Sequence, residues 1–287
     1  MSSSVSQSQA AAAVELQRSV GVGRLSAGVL DGKTRVKRVY QEGAFKLRFP
    51  RRAFDADLDA VIINTAGGLT GGDQFEFHAN IQSGADVTLT TQACERVYRS
   101  IGPNATYDID LSVAADARLF WAPQETILFD RARFRRSLNV DLAPGADFLA
   151  LEAAIWGRTD MGENVVQGAF EDRWTVKSEG RPIHVEAVKL DGAVRAQLDQ
   201  PAIANGDVAT ATLLHVSKNA EEALKACRQT IAQSPKITGG ASYWPVDAWG
   251  KLLIRLTAPS GYELRKALLE LMMAIRGPSG VPRSWGF

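Results

Sequence analysis

A chain of 287 residues with 45% hydrophobic content can bury a substantial core, as two smaller β bodies or, the preferred reading, one continuous one. The formal net charge of +1 excludes a dominant nucleic-acid footprint, which needs concentrated positive charge. Two cysteines, Cys94 and Cys227, are too few for a disulfide framework and fit a reducing cytosol, and nowhere do about eighteen apolar residues run together as a membrane span requires.

The opening stretch has no early Lys or Arg and no sustained apolar run, so it does not read as a secretory signal. Residues 1–13 are expected to be a disordered tail and 14–287 a single domain, in a cytoplasmic protein. Arg35-Val36-Lys37-Arg38-Val39-Tyr40 and Ala44-Phe45-Lys46-Leu47-Arg48-Phe49 read as strands broken at Glu42-Gly43. In the second, Phe45, Leu47 and Phe49 point inward while Lys46 and Arg48 face water. The β-branched run Val61-Ile62-Ile63 asks for a buried strand and leads into a loop carrying Gly67, Gly68, Gly71, Gly72 and Asp73. Such a loop can pack closely on a neighbouring strand or offer its N–H groups to an anion. The nucleotide spacings are absent and Asp73 would repel a phosphate, so a structural turn is the favoured reading.

From residue 75 a unit recurs, consisting of an alternating strand, a turn built on Gly-Ala-Asp or a relative, and a second strand. Copies at 75–91, 109–121 and 138–152 place Asp86, Asp116 and Asp147 at spacings of 30 and 31 residues. That period predicts stacked hairpins, none of them stable alone. A further hairpin is predicted at 173–188, turned at Glu179-Gly180-Arg181-Pro182, with more strand at 207–216. Two stretches ask for helix. In 219–232, Ala220, Ala223, Leu224, Cys227 and Ile231 repeat behind an Asn219 cap. In 261–276 a capping box at Ser260–Glu263 starts a helix that Gly277-Pro278 stops. The fold class is mainly β, a solenoid-like stack with two α-helices in the C-terminal third.

His78, His184 and His215 have no His or Cys partner at metal-ligand spacing, and Cys94 reads as packing. No nucleophile elbow, triad order or zinc-protease motif gives an independent warrant for catalysis. Arg131, Arg133 and Arg135 stand at period two, on one strand face if the segment is extended. They either guard an edge or dock an acidic partner. Tyr243, Trp244 and Trp249 crowd a loop-like stretch, and either mark an interface or belong to the core.

Several motifs in order resemble the urease accessory protein UreD family, called UreH in some organisms. They are Thr65-Ala66-Gly67-Gly68-Leu69 with Gly71-Gly72-Asp73, Leu89-Thr90-Thr91-Gln92-Ala93, and Val97-Tyr98-Arg99-Ser100. Trp121, Pro123-Gln124-Glu125-Thr126-Ile127-Leu128-Phe129, Asp141–Ala146, Gly157-Arg158, Met161-Gly162-Glu163, Pro282-Arg283 and Trp285 continue the match. Cys94-Glu95-Arg96 departs from the family's usual Lys-containing sequence. The resemblance implies a right-handed β-helical stack and a non-enzymatic, chaperone-like scaffold for nickel insertion. It implies binding to apo-urease, to UreF and, through UreF, to the GTPase UreG, with no tightly bound cofactor and nickel at most transient. Tyr243–Trp249 is the expected UreF-docking surface. A 30-residue shift superposes Glu95 on Glu125, so that these carboxylates, with Asp73 as companion, either face water or line a nickel path between rungs. The other classes to weigh are a solenoid enzyme acting on polysaccharide and an interaction scaffold without a metal role.

Overall fold

In the computed structural model, which describes residues 17–50, 57–158, 161–246 and 249–286, the period-two segments form strands. The tail expected at 1–13 lies outside the described residues. β1 (Val20–Leu30) and β2 (Lys33–Gly43) pair antiparallel across Asp31-Gly32, both at positive φ as a tight two-residue hairpin requires. In β3 (Phe45–Arg48) Phe45 and Leu47 are buried and Arg48 is exposed, the face pattern the alternation predicts. β3 pairs with β4 (Leu58–Asn64), which carries Val61-Ile62-Ile63 into a sheet.

The repeat is a β-solenoid of about four turns. One rung is β5 (Gln74–Ile81), β6 (Asp86–Thr91) and β7 (Glu95–Val97). The next is β8 (Ala105–Val113), β9 (Arg118–Ala122) and β10 (Thr126–Leu128), and then come β11 (Arg133–Leu142) and β12 (Asp147–Trp156). The units are not the hairpins that the repeat predicts. Each strand hydrogen-bonds in parallel to its counterpart in the next rung, β5 to β8 to β11 and β6 to β9 to β12, so each unit is an arc crossing between two sheets. Buried Ala85, Ala117 and Ala146 fill the corners of those arcs. The aspartate register also needs correction: Asp86 stands opposite Arg118, and Arg118 opposite Asp147. Asp116 instead occupies the positive-φ turn position held by Gly84 and Gly145 in the other rungs. Phe77, Ile109, Leu138 and Trp174 form one buried column down the stack.

β13 (Gly168–Ser178) and β14 (Arg181–Gly192) form the predicted hairpin and complete a seven-stranded sheet in the order β14-β13-β11-β8-β5-β1-β2. A short helix that the periodicity does not announce, α1 (Val194–Leu198), leads towards β15 (Ala209–Ser217). α2 (Leu224–Ala232) starts four residues later than the expected Asn219 cap implies. Asn219 does not cap it: Ala223 stands at the cap, and residues 220–223 are turns that bury Ala220 and Ala223. β16 (Thr238–Val246) and β17 (Trp249–Ala258) form a hairpin, so the aromatic stretch is strand and not loop. α3 (Gly261–Arg276) has the predicted Ser260 cap, which accepts from the Glu263 N–H, and ends at Gly277.

The second sheet runs β16-β17-β15-β12-β9-β6-β4-β3. Its inner face meets the first sheet, and its outer face carries Phe120, Leu149, Leu151 and Leu213 into a second core under α2 and α3. β9 and β12 are therefore buried on both faces and read as nearly unbroken apolar runs. Among the described residues no helix is long and apolar enough to cross a membrane.

Candidate functional site

Between the sheets the apolar columns are interrupted at one level by charge. The phase that points Phe134 and Leu138 of β11 inward also points Arg136 inward, away from Arg133 and Arg135. By the same phase β13 turns Asp172 in beside Phe170 and Trp174, and β12 turns Glu152 in from the facing sheet. Arg136, only 4% exposed, donates from Nε to Asp172 Oδ1 at 3.0 Å and from Nη2 to Oδ2 at 2.6 Å. Its Nη1 pairs with Glu152 Oε2 and reaches Thr126 Oγ1 at 3.4 Å. The Trp121 indole N–H donates to Glu152 Oε1 at 2.8 Å. Burial pushes the Glu152 carboxyl up to about 7 against the pull of Arg136. Burial alone would depress the Arg136 guanidinium, but Asp172 and Glu152 hold it above its ordinary value.

Arg136 and Glu152 separate two cavities, and both line each of them. One, of about 460 Å³, opens past Asn64, Gln92, Cys94, Glu95, Pro123 and Gln124; the other, of about 650 Å³, lies between Trp156, Trp174, Glu186 and Arg255. Glu95 lines the first cavity, its carboxylate held by Asn64 Nδ2 at 3.1 and 3.2 Å, and burial pushes it up to about 7. Since an unfolded carboxyl ionises near its ordinary 4.5, the native state binds the extra proton between the two values. Stability is thus lost as pH rises from about 4.5 to about 7. Glu95→Gln is expected to raise stability at pH 8 by up to about 3 kcal/mol, with no difference at pH 4, in denaturant titrations at both pH values.

The expected pairing of Glu95 with Glu125 is one residue out of register. Thr126 stands opposite Glu95, and Glu125 meets it only through its carbonyl, which accepts the Glu95 N–H at 3.0 Å. The Glu125 side chain points to the other face of the sheet, 1% exposed, where Arg265 of α3 grips it from Nε at 3.0 Å and Nη2 at 2.5 Å. The Cys94 thiol also donates to it at 3.3 Å, and burial with this carboxylate pushes the thiol up to about 11. Gln124 accepts from Arg265 at 2.9 Å and donates to the Thr91 carbonyl at 3.1 Å. Asp73 is buried as a turn cap, accepting from the Ser19 and Thr70 N–H groups at 2.8 and 2.7 Å. The glycine loop is woven into the stack: the Leu69 N–H donates to Arg96, the Tyr98 N–H to Leu69 and the Gly72 N–H to Asn104. Tyr98 packs on Phe129 at 4.9 Å, Arg99 bridges to Ala132, and the Gln92 N–H reaches Ile62.

The arginine row does not share one strand face. Arg131 sits before β11 at φ 61°, because Asp130 Oδ1 accepts the Val166 and Gln167 N–H groups and fixes a turn there. Of the three aromatics, Trp249 is 7% exposed and belongs to the core, and Tyr243 is partly buried. Trp244 is 45% exposed under the Lys251 ammonium. Among the described residues no three His, Cys, Asp or Glu side chains are arranged to hold a metal ion.

The molecule is thus a β-solenoid with a charged partition inside. The UreD urease accessory protein family matches residues 19–286, and the chain belongs to that family. It is 45% identical over 269 residues to urease accessory protein UreD of Mesorhizobium japonicum, covering 94% of each chain. It is 45% identical over 275 residues to UreD of Rhizobium leguminosarum bv. viciae, covering 96% of this chain and 98% of that one. UreD 1 of Brucella ovis is also 45% identical, over 272 residues and 95% of each chain.

Proposed function

We propose that this chain is a non-catalytic factor in the maturation of urease in the cytoplasm, binding apo-urease and UreF, and through UreF the GTPase UreG. Nickel, as cargo, crosses it between the two sheets. The meeting of two cavities at Arg136 and Glu152 carries the passage reading, and membership of a urease accessory family supports the maturation role. Of the three carboxylates expected to line the path, Glu125, Glu95 and Asp73, Glu95 keeps that part because it lines the first cavity. The Arg265 pair and the turn occupy the other two. The route proposed runs from Glu95 inward to Glu152. Trp244 is the exposed aromatic offered to UreF, with Arg133 and Arg135 on the outer face for an acidic partner.

Ala154 faces inward two residues beyond Glu152 and lines the second cavity. Ala154→Phe fills that space. When co-expressed with the urease operon at limiting nickel, it is expected to remove most urease activity while UreF and urease still co-purify. Full activation by a folded variant would overturn the passage, and wild-type chain that retains neither protein would overturn the partner reading.

A further inference from the structure

The interior partition has the composition of a cation site with the cation supplied by the chain itself. Two buried carboxyl groups from facing sheets, Glu152 and Asp172, converge on one guanidinium. A third element points at the same place without using it. Tyr107 stands directly opposite Arg136 in the sheet, is buried, and its hydroxyl has no hydrogen-bond partner among the described residues. That hydroxyl borders the first cavity, where a ligand can reach it. Thr126 Oγ1 is within reach of the same guanidinium. The cavities on either side give the long Arg136 side chain room to leave.

We propose that Arg136 is a displaceable stand-in for a divalent cation, and that Glu152 and Asp172, with the Tyr107 hydroxyl, form a binding site for such a cation when the guanidinium swings aside. The ligand class is a first-row divalent ion that accepts oxygen donors. A divalent cation can take an oxygen from each of the two carboxyl groups at once, as the guanidinium does now. The guanidinium keeps the partition closed: without it the two buried carboxyl groups would face each other unpaired, and with it in place no ion is held permanently. The transit role of this site rests on the passage proposed above; the site itself does not.

The test uses the full purified chain and nickel ions alone. Arg136→Met is expected to bind one nickel ion roughly tenfold or more tightly than wild type in calorimetric titration, since a competing charge has left a desolvated carboxylate pair. Adding Glu152→Gln should abolish that gain. Because Arg136→Met leaves two buried carboxylates unpaired, its folding is checked by circular dichroism. The wild-type chain supplies a second reading in which paramagnetic nickel saturably broadens the indole N–H signal of Trp121, the donor to Glu152, and Glu152→Gln abolishes the effect. A folded Arg136→Met that binds nickel no more tightly than wild type, or an unchanged Trp121 signal, overturns the proposal. If that happens while Ala154→Phe still blocks activation, the passage stands without a displaceable arginine. Tighter binding together with full activation by Ala154→Phe establishes the site and removes it from the nickel route.

Discussion

Arg265→Ala is expected to destabilise the protein by about 3–5 kcal/mol, the cost of leaving a buried ion-pair partner uncompensated. Arg265 gives two bonds to Glu125, one to the Gln124 side chain and one to the Trp285 carbonyl at 3.3 Å, and its guanidinium lies 4.8 Å from the Trp285 ring centre. One side chain of α3 therefore ties the helix layer both to the β9–β10 connection and to the C-terminal segment. With the guanidinium gone, Glu125 at 1% exposure keeps, among the described residues, only the weak Cys94 thiol donor. Thermal unfolding should move down by roughly 5–15 °C, allowing about 2–4 °C for each kcal/mol in a chain somewhat larger than those surveyed. Arg265→Met with Glu125→Gln should recover much of the loss, because the cost lies in the orphaned charge and not in the missing contact. A double variant as unstable as the single one would show that packing on Trp285 is what matters.

The stacking was legible because its cause is local. Phe45 and Leu47 alternate with Lys46 and Arg48, and the strands of each rung carry the same inward phase, so a period near 30 residues appears in the letters themselves. Register was not legible. Gly84, Asp116 and Gly145 do the same job at positive φ, since aspartate tolerates the left-handed region that a turn demands. Matching aspartate to aspartate therefore aligned a turn residue with two strand residues. The strand pairing spaces the rungs by 32 residues, from Asp86 to Arg118, and then 29, from Arg118 to Asp147. The same misalignment placed Glu95 beside Glu125, and a one-residue slip sends a side chain to the opposite face of a sheet. Whether a unit closes as a hairpin or an arc depends on where its partner strand lies in space, which alternation does not encode.

The interior charges were partly legible. Arg136 follows Arg135 in a run whose outward members attract attention, yet its parity with Phe134 and Leu138 marks it as core-facing. Asp172 shares phase with Phe170 and Trp174, and Glu152 with Ala150 and Ala154. A charged residue at a core-phase position in three strands was the available signal. Which carboxylate meets which guanidinium depends on strand order, which brings β13 beside β11 and sets β12 across from them. The aromatics fail for a related reason: Trp244, opposite Lys251, and Trp249, two residues from Lys251, share one face of the hairpin, but Trp244 lies on the edge strand β16 and stays exposed while Trp249 on β17 is covered by the core.

Gly68→Val is expected to destabilise by about 3–5 kcal/mol, combining backbone strain with overpacking. Gly68 holds φ at 152°, a conformation that a β-branched residue avoids. A Cβ there would lie 2.4 Å from the Tyr98 ring and 2.8 Å from the Arg96 carbonyl oxygen. Neither neighbour yields easily: Tyr98 is packed against Phe129 and donates its hydroxyl to the Gly67 carbonyl, while the Arg96 carbonyl accepts the Leu69 N–H at 2.7 Å. The adjacent Gly67 separates the two costs. Its φ is 78° but a Cβ at that position would meet no atom within 4 Å, so Gly67→Ala should lose only about 1 kcal/mol of backbone strain. Urea titration of both variants reads the difference. Equal losses would mean that the loop is free to shift and that close packing of the glycines on the next rung does not govern its shape. Because the loop stacks on the rung that carries Glu95 through the Leu69–Val97 bridge, the passage proposed above adds an expectation that Gly68→Val lowers urease activation even below the unfolding temperature.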